Sequence, residues 1–190
     1  MKQTPNSTLP ANHAAMASPN NLTTAQRTSK LQSKNPIMTT RSPPQLSLKG
    51  ARIALAASEA KATSLGIDMN IAIVDASTHL VAFSRMPNAK ITSINIAIDK
   101  AFTAAGHRIG THMYKEAVWP GGPAFGLGTS NGGRFVTIGG GLPVVDGEGR
   151  VVGAVGVSTG TPAQDEVVAR AGVEAVEKVL RDEGKVKAKL

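Results

Sequence analysis

Ile67-Asp68-Met69-Asn70-Ile71-Ala72-Ile73-Val74-Asp75, then Ala76-Ser77-Thr78, then His79-Leu80-Val81-Ala82-Phe83-Ser84-Arg85-Met86 decide the fold. Two β-rich apolar runs flank a turn too short to hold a crossover helix. Strands joined so closely must pair antiparallel, as a hairpin. Pro87 and Asn88 then break the sheet.

Working outward, Ser47 caps a helix that reaches about Leu65, where Gly66 ends it. Ile53, Ala57, Ala60 and Ser64 form a stripe of mostly small residues on it, which implies close packing. Ile91 to Ala105 is a second helix, with Ile94, Ile98, Ala101 and Ala105 on one face. Thr111 to Val118 reads as a short helix, and a glycine-rich stretch runs on to Arg134. Three strands follow: Phe135–Ile138, Leu142–Asp146 and Arg150–Ser158, the last two joined by the Gly147-Glu148-Gly149 turn. Pro162 opens a final helix over roughly 162–182. The expected fold class is α/β/α, of the α+β type: a central antiparallel five-stranded sheet flanked by helices. It is not the alternating pattern of a dinucleotide-binding fold.

The chain has 190 residues, enough for one domain and a tail. Residues 46–182 form the expected domain, 183–190 a basic C-terminal tail and 1–45 a polar N-terminal one. Residues 1–45 carry five basic residues and no acid, and are rich in Ser, Thr, Asn and Pro. Such a segment buries too little apolar surface to offset its ordering entropy, so it reads as disordered. Its composition also resembles an organelle transit peptide, and Met16 and Met38 offer later starts. The expected compartment is the cytoplasm, with an organelle as the alternative.

Of 21 basic residues, 16 remain after residues 1–45, against all 13 acidic ones, so residues 46–190 carry only +3. That balance, with 3% aromatic residues, speaks against a nucleic-acid surface. The chain has no cysteine, which excludes disulfides, cysteine-ligated zinc, iron–sulfur clusters and a cysteine nucleophile. No apolar run reaches about 18 residues, so no membrane helix is expected.

Gly139-Gly140-Gly141 is not a phosphate loop: no Gly-Lys-Ser/Thr follows it, and it leads into a strand. The glycines either allow tight backbone approach or present bare N–H groups to an acidic ligand. His107 and His112 are five residues apart and do not form a ligand pair on one helix face, so a preformed zinc site is not expected. A single axial ligand to haem needs only one imidazole, and His112 is the candidate. His79 reads as a surface turn residue. Lys100, Thr103 and His107 share one helix face, either a partly exposed polar face or a pocket wall with a cation and an imidazole. Ser158, Gln164 and Asp165 cluster where the last strand meets the last helix. Asp165 there is either a helix-dipole residue or a catalyst.

Four blocks carry a resemblance: Asn70–Asp75 with His79–Met86, Ala97–Ala104, Gly139–Val144, and Gly153–Ser158 before Gln164-Asp165. In this order and spacing they resemble the GlcG/HbpS family, which includes the C-terminal domain of PduO-type proteins, over residues 46–182. The resemblance implies a profilin-like fold, homo-oligomers, and haem or iron binding in some members. In HbpS-type members a threonine after the Lys-Ala-Phe-Thr-Ala helix contacts haem, and Thr111 matches it. The PduO-type domain uses a histidine in its first helix, and residues 46–66 contain none.

The leading expectation is a small oligomeric protein that binds haem, another tetrapyrrole or another acidic small molecule. Lys100, Thr111, Gly139, Gly140, Gly141 and Ser158 would surround the ligand, Lys100 facing a carboxylate. Haem is the one cofactor suggested, and neither nucleic acid nor membrane is an expected partner. The rival is a metal-independent isomerase, cyclase or lyase with Lys100 or His107 as proton carrier and Asp165 as its partner. A third reading is a scaffold whose oligomer surface matters and whose pocket does not.

Overall fold

The computed structural model describes residues 39–187. Most of the expected N-terminal tail therefore lies outside the described residues. The folded unit begins at Pro43. Gln45 already belongs to it: its amide donates to Ser77 Oγ at 2.9 Å, and its carbonyl accepts from Ala76 N at 2.9 Å.

Helix α1 spans Leu48–Ser64, and Ser47 caps it by accepting from Gly50 N at 3.2 Å. Strands β1 (Asn70–Asp75) and β2 (Leu80–Arg85) form the expected hairpin, followed by helix α2 (Ser93–His107). Residues 111–133 run through four short 3₁₀ turns. Strands β3 (Gly141–Val145) and β4 (Val151–Ser158) precede helix α3 (Pro162–Lys187), which continues past the expected end near residue 182.

The sheet has four strands in the order β2-β1-β4-β3, every neighbouring pair antiparallel. The expected five-stranded sheet is thus corrected, because Phe135–Ile138 is not a strand. Its backbone groups are taken by threonine side chains instead. Val136 N donates to Thr103 Oγ1 at 3.0 Å, and Thr111 Oγ1 donates to Ile138 O at 2.7 Å.

Three layers result. On one face Ile71, Ile73, Val155 and Val157 meet α1 and α3; on the other Ala72, Val74 and Ala154 meet α2. Alternation along β1 divides the two cores. Helix α2 lies so close on β4 that a Cβ at Gly156 would strike Ala97 O and Ala101 N. The helix accordingly faces the sheet with Ala97, Ala101 and Ala104. Helices α1 and α3 also meet through small residues, with Ser58 Oγ donating to Val168 O at 3.1 Å. The buried face of α1 is Ala51, Ala54, Ser58 and Ala62, not the expected Ile53, Ala57, Ala60 and Ser64 stripe.

Candidate functional site

Helix α2 turns Lys100 inward, onto the end of β4. Lys100 is 1% exposed and Asp165, in the first turn of α3, is 2% exposed. The ammonium donates to Asp165 Oδ2 at 2.8 Å and to Val157 O at 3.0 Å. Asp165 Oδ1 accepts from Gly160 N at 2.9 Å. Burial lowers the Lys100 pKa, against the hydrogen bond and charge of Asp165. Burial likewise raises that of Asp165, against the hydrogen bond and charge of Lys100. Each charge sustains the other in a place that favours neither.

Gly140 closes over this pair. Its φ is +118°, and a Cβ there would sit 2.7 Å from Asp165 Cβ and 2.9 Å from Lys100 Nζ. Only glycine meets both demands. Thr111 is fully buried beside Gly141, accepting from its N at 2.9 Å while donating to Ile138 O. Lys100, Thr111, Gly140, Gly141 and Asp165 therefore come together as expected, but in a packed knot and not around a hollow. Ser158 is 5% exposed and pairs in register with Asn70 at the end of β4.

A cleft opens beside this knot, across Gly139. It measures about 600 Å³ and is lined by His112, Lys115, Trp119, Ile138, Pro162 and Glu166, among others. The knot sets its walls: Thr111 precedes His112, Gly140 follows Gly139, and Asp165 precedes Glu166. His112 Nδ1 lies 3.1 Å from Glu166 Oε2, off the direction of a hydrogen bond, and Glu166 Oε1 accepts from Arg170 at 2.7 Å. Trp119 is 58% exposed and Ile138 52%, so the cleft presents apolar faces to a ligand. Of the expected site residues, only Gly139 and His112 line it.

His107 belongs to neither group. Its Nδ1 is 2.6 Å from Tyr114 Oη, and its ring lies 4.4 Å from that of Phe135. Sequence reasoning missed Lys115, Trp119, Ile138, Pro162 and Glu166. The signals were there: the one tryptophan of the chain, and an acid directly after Asp165. Among the described residues, no group of three or more His, Asp or Glu could hold a metal ion, and no helix is long and apolar enough to cross a membrane.

Known proteins share this architecture. A relative from Citrobacter freundii, an uncharacterized 15.0 kDa protein of the dhaT-dhaS intergenic region, is 40% identical over 129 residues, 68% of this chain and 90% of its own. The crystal structure of Klebsiella pneumoniae ORFY superposes with a TM-score of 0.72 at 34% identity, covering 75% of this chain and 97% of that one. A structure described as a PduOC:heme complex superposes with a TM-score of 0.65 at 31% identity, covering 69% and 94%. The family model described as "Haem degrading protein HbpS-like" matches residues 46–174. With that match over most of the folded unit, the chain belongs to the HbpS-like family.

Proposed function

We propose that this protein binds haem, or a similar flat acidic tetrapyrrole, in the cleft between His112 and Trp119. The observation that carries the reading is the donor set of that cleft. It joins an imidazole, a lysine and a row of apolar faces in one concavity of ligand size. The imidazole of His112 stands beside the Glu166 carboxylate without an aligned hydrogen bond, so its ring has no hydrogen bond among the described residues that a ligand would have to break. Lys115, at φ 41° as the first residue of the second 3₁₀ turn, is exposed at the rim and suited to a propionate. Trp119 and Ile138 suit the apolar macrocycle. When bound, haem would supply a redox-active iron. The heme complex of the structurally similar PduOC supports the ligand class.

Lys100 is a support in this reading, not a ligand contact. Its ammonium is already committed to Asp165 and Val157 O, and it does not line the cleft. The same enclosure leaves the acid–base alternative at Lys100 and Asp165 without an approach for substrate from the cleft.

Titration with haemin tests the reading. A saturable Soret shift is expected, weakened about tenfold or more in His112→Ala. No shift, or an equal shift in both proteins, contradicts it. The proposal includes self-association, supported by the exposed Ile91, Met113 and Phe125. A monomer mass in light scattering at micromolar concentration would count against that part.

A further inference from the structure

The cleft of His112 depends on a residue that does not line it. Gly110, two positions earlier, is buried at the start of the first 3₁₀ turn. Its φ of −66° and ψ of 139° are ordinary extended backbone, open to any residue. Glycine is therefore not a demand of the backbone there; it is a demand of space. A Cβ on Gly110 would come 2.6 Å from Cε1 and 2.8 Å from Nδ1 of the His112 ring, closer than side chains pack. The next neighbour, Leu142 Cδ2 at 3.1 Å, is a methyl at the end of a side chain and need yield only a few tenths of an ångström.

The His112 ring thus lies in the notch that the glycine leaves, and the notch decides which nitrogen is offered. Nδ1 is fully buried, 3.1 Å from Glu166 Oε2 and without a hydrogen bond. Yet 35% of the side chain stays exposed, and it lines the cleft. Nε2 is the nitrogen left for a ligand. Glu166, beside Nδ1, is itself tied to Arg170 at 2.7 Å. An imidazole free to turn would have to be immobilised on binding, whereas a seated one avoids that cost.

We propose that Gly110 is a positioning residue for ligand binding: its missing side chain seats the His112 imidazole with Nδ1 covered and Nε2 presented to the cleft. Gly110 acts through His112, since it is not among the residues that line the cleft. This assignment rests on the haem reading of that cleft, and adds to it the residue that fixes the imidazole and the nitrogen it offers.

Gly110→Ala tests it, because alanine suits the backbone and displaces the ring. Crystals without ligand should show the ring against Gly110 in the wild type, and turned about Cα–Cβ out of its seat in the variant. The variant should melt within a few degrees of wild type. Haemin should bind it about tenfold more weakly, at the level of His112→Ala and with the ferric spectrum of that variant. In a double-mutant cycle, Gly110→Ala should cost nothing further once His112 is alanine, whereas a merely structural role would weaken both backgrounds alike. If crowding of Leu142 prevents folding, Gly110→Ala combined with Leu142→Val removes that methyl and carries the same expectation. An unmoved ring in the variant, wild-type haemin affinity in folded Gly110→Ala, or equal losses in both backgrounds would each overturn the proposal, and a Soret shift that depends on His112 would still leave the haem reading standing. No Soret shift in the wild type would overturn both.

Discussion

Lys100 was the residue that sequence alone made conspicuous: a lysine beside an apolar helical stripe, with an aspartate at the start of the last helix. The helical spacing left two directions open for it, a partly exposed polar face or a pocket wall, and the structure turns it inward. Its partner was not legible in the spacing, because Asp165 lies 65 residues away and reaches it only through the β4–α3 junction. Nor could the pattern reveal that the backbone of Gly140 would fill the space above the pair. Two charges taken out of water in this way depend on each other. Lys100→Met should therefore cost about 3–5 kcal/mol in urea unfolding, by leaving a buried carboxylate alone. Adding Asp165→Asn should recover most of that loss, since an amide can still accept from Gly160 N. A double variant no more stable than the single one would show that the pair does not act as a unit.

At the scale of elements, boundaries were legible where one residue controls them. Ser47 caps α1, Gly66 at φ +68° follows it, and Pro162 opens α3. The face of α1 was not legible, since alanines surround that helix and its apolar pattern has no clear direction. The missing fifth strand has a similar origin. Phe135-Val136-Thr137-Ile138 has strand-forming residues, but Thr103 and Thr111 take the hydrogen bonds that a neighbouring strand would have made. The β3–β4 turn offers a pH test. Asp146 is pushed up by its partial burial, but its bonds from Arg150 N, the Arg150 guanidinium and Glu148 N outweigh this and hold its pKa below the usual carboxylate value. A carboxyl lowered on folding contributes stability above its unfolded pKa, and that contribution is lost as pH falls through the folded value. Asp146→Asn should thus melt a few degrees below wild type at pH 7, and the gap should close in acid, below about pH 4. A gap independent of pH would contradict this account of the turn.

For the whole molecule, the three layers put the end of β4, the middle of α2, the start of β3 and the first turn of α3 at one place. The Lys100–Asp165 knot holds that place shut, and the cleft of His112 opens on its flank. The four ordered sequence blocks pointed to this region because most of the knot lies within them. The cleft itself draws on Lys115, Trp119 and Ile138, from turns that carry no periodic signal, so its composition required coordinates. The central claim is that ligand sits in the cleft and not on the buried lysine. A crystal structure of the haemin complex, with iron located by its anomalous scattering, tests this most directly. The account predicts the iron peak beside the His112 imidazole with the Lys100–Asp165 pair intact. An iron peak remote from His112, or a broken pair with Lys100 turned to a propionate, would contradict it.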